Sequence, residues 1–404
     1  MRDVAAVAAQ PLLSSHGLYA DLKLRTPASS AIEYTPQYPL FSDFAEKRRW
    51  LLLPAGQKID TSDLDHFRFP IGTKAVKEFS RDGKVLETRL IERVNVTGDQ
   101  KVDYFMGTFV WLPDGSDAVL TNDGVDNVNG TTHDVPKQEL CLRCHQGEPG
   151  AILGFSTLQL SSSGALATFA EQKLLSDAPK RKYAIPGNEL QVRAIAAMQG
   201  NCAPCHSAGG SGALMRLRLL PHEVDLPFEL TEIFQTTIGR PLTDWMPRPA
   251  EFTHRIIPGD PDRSALTYRM GLRSGNGWLA DQMPPIATEQ RNEEALSAVR
   301  AWIAAMPPDY TPSRVLVAER DAGAALDAGA SDASLRSTED AAAAPMDAGV
   351  PVAAATGDDA AAPTADADTA SSNLDGATST ASTATDAASS ASDPQLDTDS
   401  GLTN

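Results

Sequence analysis

The sequence predicts an α+β protein: an N-terminal antiparallel β domain, mostly helical segments after it, and a disordered C-terminal tail. Three observations carry this expectation. Alternating apolar residues and turn dipeptides dominate up to about residue 130, apolar stripes at helical spacing follow them, and aromatic residues cease after Tyr310.

In the β-like part, "KAVKEFSRDGKVLETRLIERV" holds two alternating runs around Asp82-Gly83. That dipeptide favours a tight hairpin, because both central positions tolerate positive φ. The stretch "DYFMGTFVWLPDGSDAVL" sets Tyr104, Met106, Thr108 and Val110 against Phe105, Phe109 and Trp111, then turns at Pro113-Asp114-Gly115. With both faces apolar or aromatic, it suits a central strand of a packed sheet. Pro39, Pro54, Pro70 and Pro113 punctuate the region against long helices.

The helical part begins with "GALATFAEQKLLSD", where Leu166, Phe169, Ala170 and Leu174 fall at helical spacing. "LQVRAIAAMQG" repeats the pattern with Val192, Ile195 and Met198, closing at Gly200. In "NEEALSAVRAWIAAMPP" one face carries Ala295, Leu296, Val299, Trp302, Ile303 and Met306. Glu293 and Glu294 complement the dipole of that helix at its start, and Pro307-Pro308 stop it.

From Asp321 to Asn404 the chain is mainly Ala, Asp, Ser, Thr and Gly, with fifteen acidic residues against the single Arg336. Most of the net charge of −18 therefore belongs to a segment that cannot bury enough apolar surface to offset its ordering entropy. No basic cluster interleaved with aromatics is present, so nucleic-acid binding is not expected. No apolar run reaches the length of a transmembrane helix.

All four cysteines lie in two copies of one pattern, "CLRCH" at 141–145 and "CAPCH" at 202–206. On a helical turn, C-x-x-C-H puts both thiols on one face, with the histidine four residues from the first. The thiols can add to the two vinyl groups of a haem as thioethers while the imidazole takes the iron. Cys141, Cys144 and His145 thus form one expected c-type haem site, and Cys202, Cys205 and His206 a second. A zinc ribbon places its pairs about 15–20 residues apart and needs no histidine after each. A thioredoxin-type motif needs a βαβ setting, and structural disulfides would not call for two identical strings.

With these residues assembled, the chain resembles a group of bacterial dihaem c-type cytochromes with a β-rich N-terminal domain. The similar stretches include "YPLFSDFAEKRRWLLLPAGQKI", "FRFPIGTKAVKEF", "HDVPKQELCLRCH", "NCAPCHSAGG" and "IIPGDPDRSALTYRM", and together cover about residues 16 to 308. The resemblance implies electron transfer in the periplasm or cell envelope and supplies no substrate. The part around the second motif is also similar to a small cytochrome c domain: a helix into C-x-x-C-H, a Met-Pro loop and a terminal helix. It departs from that class by a long insert, "PHEVDLPFELTEIFQTTIGRPLTDWMPRPAEFTHR".

The expected organisation is an extension over 1–15, a β-rich domain over 16–135, a first haem-binding segment over 136–185, a cytochrome c domain with the second haem over 186–310, and the tail over 311–404. The sixth ligand of the second haem is expected to be Met283, which precedes proline just before the terminal helix, rather than Met246 inside the insert. For the first haem the candidates are His133, Met106 and water. His66, His222 and His254 look isolated, and "NDGVDNVNG" reads as a turn because its spacing misses the calcium loop.

The expected activity is transfer of single electrons from a donor dehydrogenase to a cytochrome or oxidase acceptor. The alternative is a dihaem peroxidase-type enzyme, which needs one open iron position and an acid/base side chain above it. A third reading makes the β domain a binding module for a partner enzyme or a carbohydrate. Thioether attachment occurs outside the bacterial cytoplasm, yet "MRDVAAVAAQPLLSSHG" is too weak for a secretory leader. The expectation is that the chain is a mature form or begins at a downstream start.

Overall fold

Six strands form an antiparallel meander in which neighbours in sequence are neighbours in space: β3 (Ala31–Glu33), β4 (Glu46–Leu52), β5 (Lys74–Arg81), β6 (Lys84–Arg93), β7 (Tyr104–Trp111) and β8 (Ala118–Thr121). A separate short pair joins β1 (Tyr19–Asp21) to β2 (Thr26–Pro27). This is a computed structural model, and it describes residues 4–243, 245, 248–273 and 281–310. The tail and Met246 lie outside the described residues.

The α+β expectation holds in its coarse form. The hairpin stands where Asp82-Gly83 predicted it, both residues taking positive φ (51° and 74°) between β5 and β6. β7 lies inside the sheet between β6 and β8, which accounts for its two apolar faces.

One sheet face packs Trp50, Val76, Leu90, Phe105 and Phe109 into a core with Val7 and Leu13. Residues before His16 are therefore part of this layer. Helix α1 (Val4–Ala8) supplies Val7, and the Leu120 amide donates to the Pro11 carbonyl at 2.8 Å. The other face packs Leu51 and Ala75 against Ile152, Phe155, Leu160 and Phe169, which follow the first C-x-x-C-H string. The β-rich part and the segment after the first C-x-x-C-H string thus share one core.

Short helices α2 (Gln100–Asp103), α3 (Cys141–His145), α4 (Thr157–Leu160) and α5 (Ala165–Glu171) serve this half. The expected helix through Leu174 stops earlier than its apolar stripe. Lys173 takes φ 57°, turning the chain so that Leu174 reaches the same core from beyond the helix end.

The remaining helices are α6 (Glu189–Asn201), α7 (Glu232–Thr237), α8 (Ala265–Gly271) and α9 (Glu293–Ala304). Asn188 and Asn292 cap α6 and α9, each accepting a backbone N–H three residues on. α6 packs on α9 through a core that includes Ile195, Met198, Val299, Trp302 and Ile303. Full burial of an aliphatic side chain there contributes about 1.5–3 kcal/mol. The long insert does more than edge the site, since Ile233, Phe234 and Ile238 from it sit inside this core. Among the described residues no helix is long and apolar enough to cross a membrane.

Candidate functional site

Helix α3 is the first C-x-x-C-H string itself, so Cys141 and Cys144 fall one turn apart on a common face. The chain then bends back at Ala151, whose φ is 57°, and its carbonyl accepts from His145 Nδ1 at 2.6 Å. That bond fixes the tautomer and directs Nε2 to any metal, the usual arrangement around a ligating histidine. Burial pushes the His145 pKa down to about 4, so the ring is neutral, the form that binds iron.

The second string continues from α6, where the Cys202 amide donates to the Met198 carbonyl. His206 Nδ1 lies 3.0 Å from the Gly212 carbonyl and 3.1 Å from that of Met215. A Cβ on residue 212 would stand 2.5 Å from that nitrogen, so only glycine lets the carbonyl approach the ring. Both motifs therefore orient their histidine by the same device. Burial also raises the Cys202 thiol to about 12.

Folding brings the two strings into contact. Cys144 Sγ and Cys205 Sγ are 3.5 Å apart, and Ser211 Oγ donates to the Arg143 carbonyl at 3.0 Å. Gly147 of the first loop lies against the second, where a Cβ would meet Ser207 Oγ at 2.5 Å and the Pro204 carbonyl at 2.8 Å. A buried network ties the same region to the β part. Arg218 Nη1 donates to Glu148 Oε2 at 2.8 Å, Arg218 Nη2 to the Asp65 carbonyl at 2.6 Å, and His66 Nδ1 pairs with Glu148 Oε1 at 3.0 Å. His66, isolated in the sequence, thus has a carboxylate neighbour, and His222 lies 3.5 Å from Asp65.

A cavity of about 190 Å³ opens between the sheet and α3, with Cys141 and His145 on one wall and Arg49, Lys77, Arg89 and Met106 on the other. Strand register sets the sheet wall. Leu51, Ala75, Ile91 and Met106 form one cross-strand row on β4, β5, β6 and β7, and Arg49, Lys77, Arg89 and Thr108 form a second row beside it. Arg89 is paired, donating twice to the fully buried Glu87 at 2.7 and 2.8 Å. Among the described residues neither Arg49 nor Lys77 has a carboxylate within ion-pair distance. Burial lowers the Arg49 pKa, and burial with the adjacent guanidinium groups pushes Lys77 well below its usual range.

The structure separates the distal candidates. Met106 lines the cavity and packs with Cys141, Leu142 and Ala151. His133 is buried elsewhere, its Nε2 2.7 Å from Glu87 Oε1 and its ring 5.2 Å from that of Phe79, and it is absent from the described cavity lining. Burial alone would raise Glu87, but Arg89 and His133 outweigh it and hold the carboxyl at about 2. Met283 is half-buried, with its amide donating to the Arg269 carbonyl at 2.9 Å. Its loop is fixed by buried Gln282, which donates to the Thr288 carbonyl, and by Asp43, which accepts the Glu289 amide at 2.6 Å.

These residues suit a covalently attached haem at each string. Each string offers two thiols and one oriented imidazole, and the first adjoins a cavity whose wall holds Arg49 and Lys77, which have no carboxylate partner among the described residues. Near the second string, the buried Nη1 atom of Arg216 has no hydrogen-bond partner among the described residues. Among the described residues no three His, Cys, Asp or Glu side chains converge on one point. A haem iron does not require it, because the macrocycle supplies four of its ligands. Sequence reading missed Arg49, Lys77 and Arg89 because their alignment exists only once β4, β5 and β6 pair. Comparison with protein-family models, with curated proteins and with solved structures finds no match.

Proposed function

We propose that this chain is a dihaem c-type cytochrome that carries single electrons in the periplasm between a donor dehydrogenase and a cytochrome or oxidase acceptor. The supporting observation is the 3.5 Å separation of Cys144 and Cys205 sulfurs, which puts the attachment points of the two groups side by side. A bound haem supplies a one-electron ferric/ferrous couple and moves no atoms.

The chain's part is to hold, orient and insulate. Cys141, Cys144, Cys202 and Cys205 provide the thioether sulfurs, and His145 and His206 the proximal nitrogens, each steadied by a backbone carbonyl. Met283 is the distal candidate at the second site. At the first site Met106 stands in the cavity wall, whereas His133 is engaged by Glu87.

The test is intact-mass analysis of protein exported through a haem-attachment pathway, followed by a potentiometric titration. Two haem additions that survive denaturation and two one-electron waves are expected. Zinc with unmodified thiols would end this reading. A high-spin haem together with peroxide turnover would replace it with the enzyme reading.

A further inference from the structure

We infer that the cation row on β4, β5 and β6 is the anchor for the carboxylates of the haem attached at the first string. On this reading the β domain is the second half of that haem's binding site, not a separate binding module. The inference rests on the dihaem proposal.

Three observations converge on it. Arg49, Lys77 and Arg89 stand directly opposite one another across adjacent strands, and they share a cavity with Cys141 and His145. Like charges in such register repel, so the arrangement calls for an anion between them. One cation is already matched, because Glu87 takes Arg89 with a bidentate grip. Arg49, only 7 % exposed, and Lys77 have no carboxylate to pair with among the described residues, although a buried charge without a partner is strongly unfavourable.

The ligand that meets this demand must be anionic, bear its charge on the rim of an apolar body, and adjoin Cys141 and His145. A haem matches these needs. Its two propionate carboxylates project from a flat apolar ring, and Ala75, Ile91 and Met106 of the neighbouring row, all in the cavity lining, offer an apolar strip beside the cations. Arg49 gives a planar fork suited to a carboxylate, and Lys77 a point charge beside it.

The experiment compares Arg49→Met, Lys77→Gln, the double variant and Arg49→Lys with the wild type, all as full-length haem-loaded protein. Haem count is read by mass, spin state by electron paramagnetic resonance, and both midpoint potentials by spectroelectrochemistry. Each neutralising variant should keep two haems in a low-spin state and shift one midpoint downward, leaving the other in place. The double variant should shift it further, and Arg49→Lys should restore most of the wild-type value. If the double variant does not accumulate, the single variants carry the same comparison.

Two attached haems with both midpoints unmoved would overturn the inference while leaving the dihaem reading intact. So would a change to high spin in Lys77→Gln alone, which would make the lysine amine an iron ligand. A wild type without covalent haem would overturn both.

Discussion

The sulfurs of Cys144 and Cys205, sixty-one residues apart in the chain, lie 3.5 Å from each other. Groups attached there would be near neighbours, and their unpaired electrons should sense one another. Oxidised wild-type protein should give resonance signals broadened by dipolar coupling. A Cys202→Ala/Cys205→Ala variant, carrying only the first haem, should give one sharp signal. Two sharp, independent signals in the wild type would show that the motifs are not adjacent in solution.

Met283 sits on a loop held at its far end by Asp43, whose Oδ2 accepts the Glu289 amide at 2.6 Å. Met283→Ala should abolish the weak near-infrared sulfur-to-iron band and lower the potential of one haem, since a thioether raises potential relative to imidazole. Asp43→Ala should weaken that band without removing it. An unchanged band in Met283→Ala would move the assignment to another side chain.

His133 and Glu87 form a structural pair. His133→Ala should leave the haem spectra unchanged and cost about 1–3 kcal/mol of stability, because it strips a partner from a buried carboxylate. The Glu87 pKa is held at about 2, below the ordinary glutamate value of 4.5, so its stabilising contribution is complete above about 4.5. It fades as pH falls through 2. The melting-temperature gap between wild type and Glu87→Gln should therefore narrow on acidification from pH 5 to pH 2. A gap that widens would contradict the depressed pKa.

Gly212→Ala adds a methyl group 2.5 Å from His206 Nδ1. The ring must turn or the carbonyl must withdraw. The expected result is a shifted spectrum and potential for the second haem alone, with far-ultraviolet circular dichroism preserved. No spectral change would mean that the Gly212 carbonyl does not position the imidazole.

Local features were legible in the sequence. The Asp82-Gly83 turn, the Asn292-capped α9 and the two C-x-x-C-H strings depend on residues a few positions apart, whose chemistry acts over that range. The cavity wall was not legible, because Arg49, Lys77 and Arg89 become neighbours only through strand register. The pairing of His66 with Glu148 joins residues 82 apart, a separation at which no local pattern operates. His133 stands eight residues before Cys141, yet its ring is held by buried Glu87, 46 positions away, a partner that nearness in sequence does not reveal.

The fit of Gly147 against Ser207 and Pro204 also sets a timetable for biogenesis. In the closed arrangement Cys144 faces Cys205 and both thiols are only half-exposed, which crowds the approach of an attachment enzyme. If both thioethers form, loading is then easier while these loops are still apart, and final closure favours a chain whose cavity is filled. A slow-loading variant would then accumulate as an open, protease-sensitive intermediate rather than as a folded protein lacking one haem.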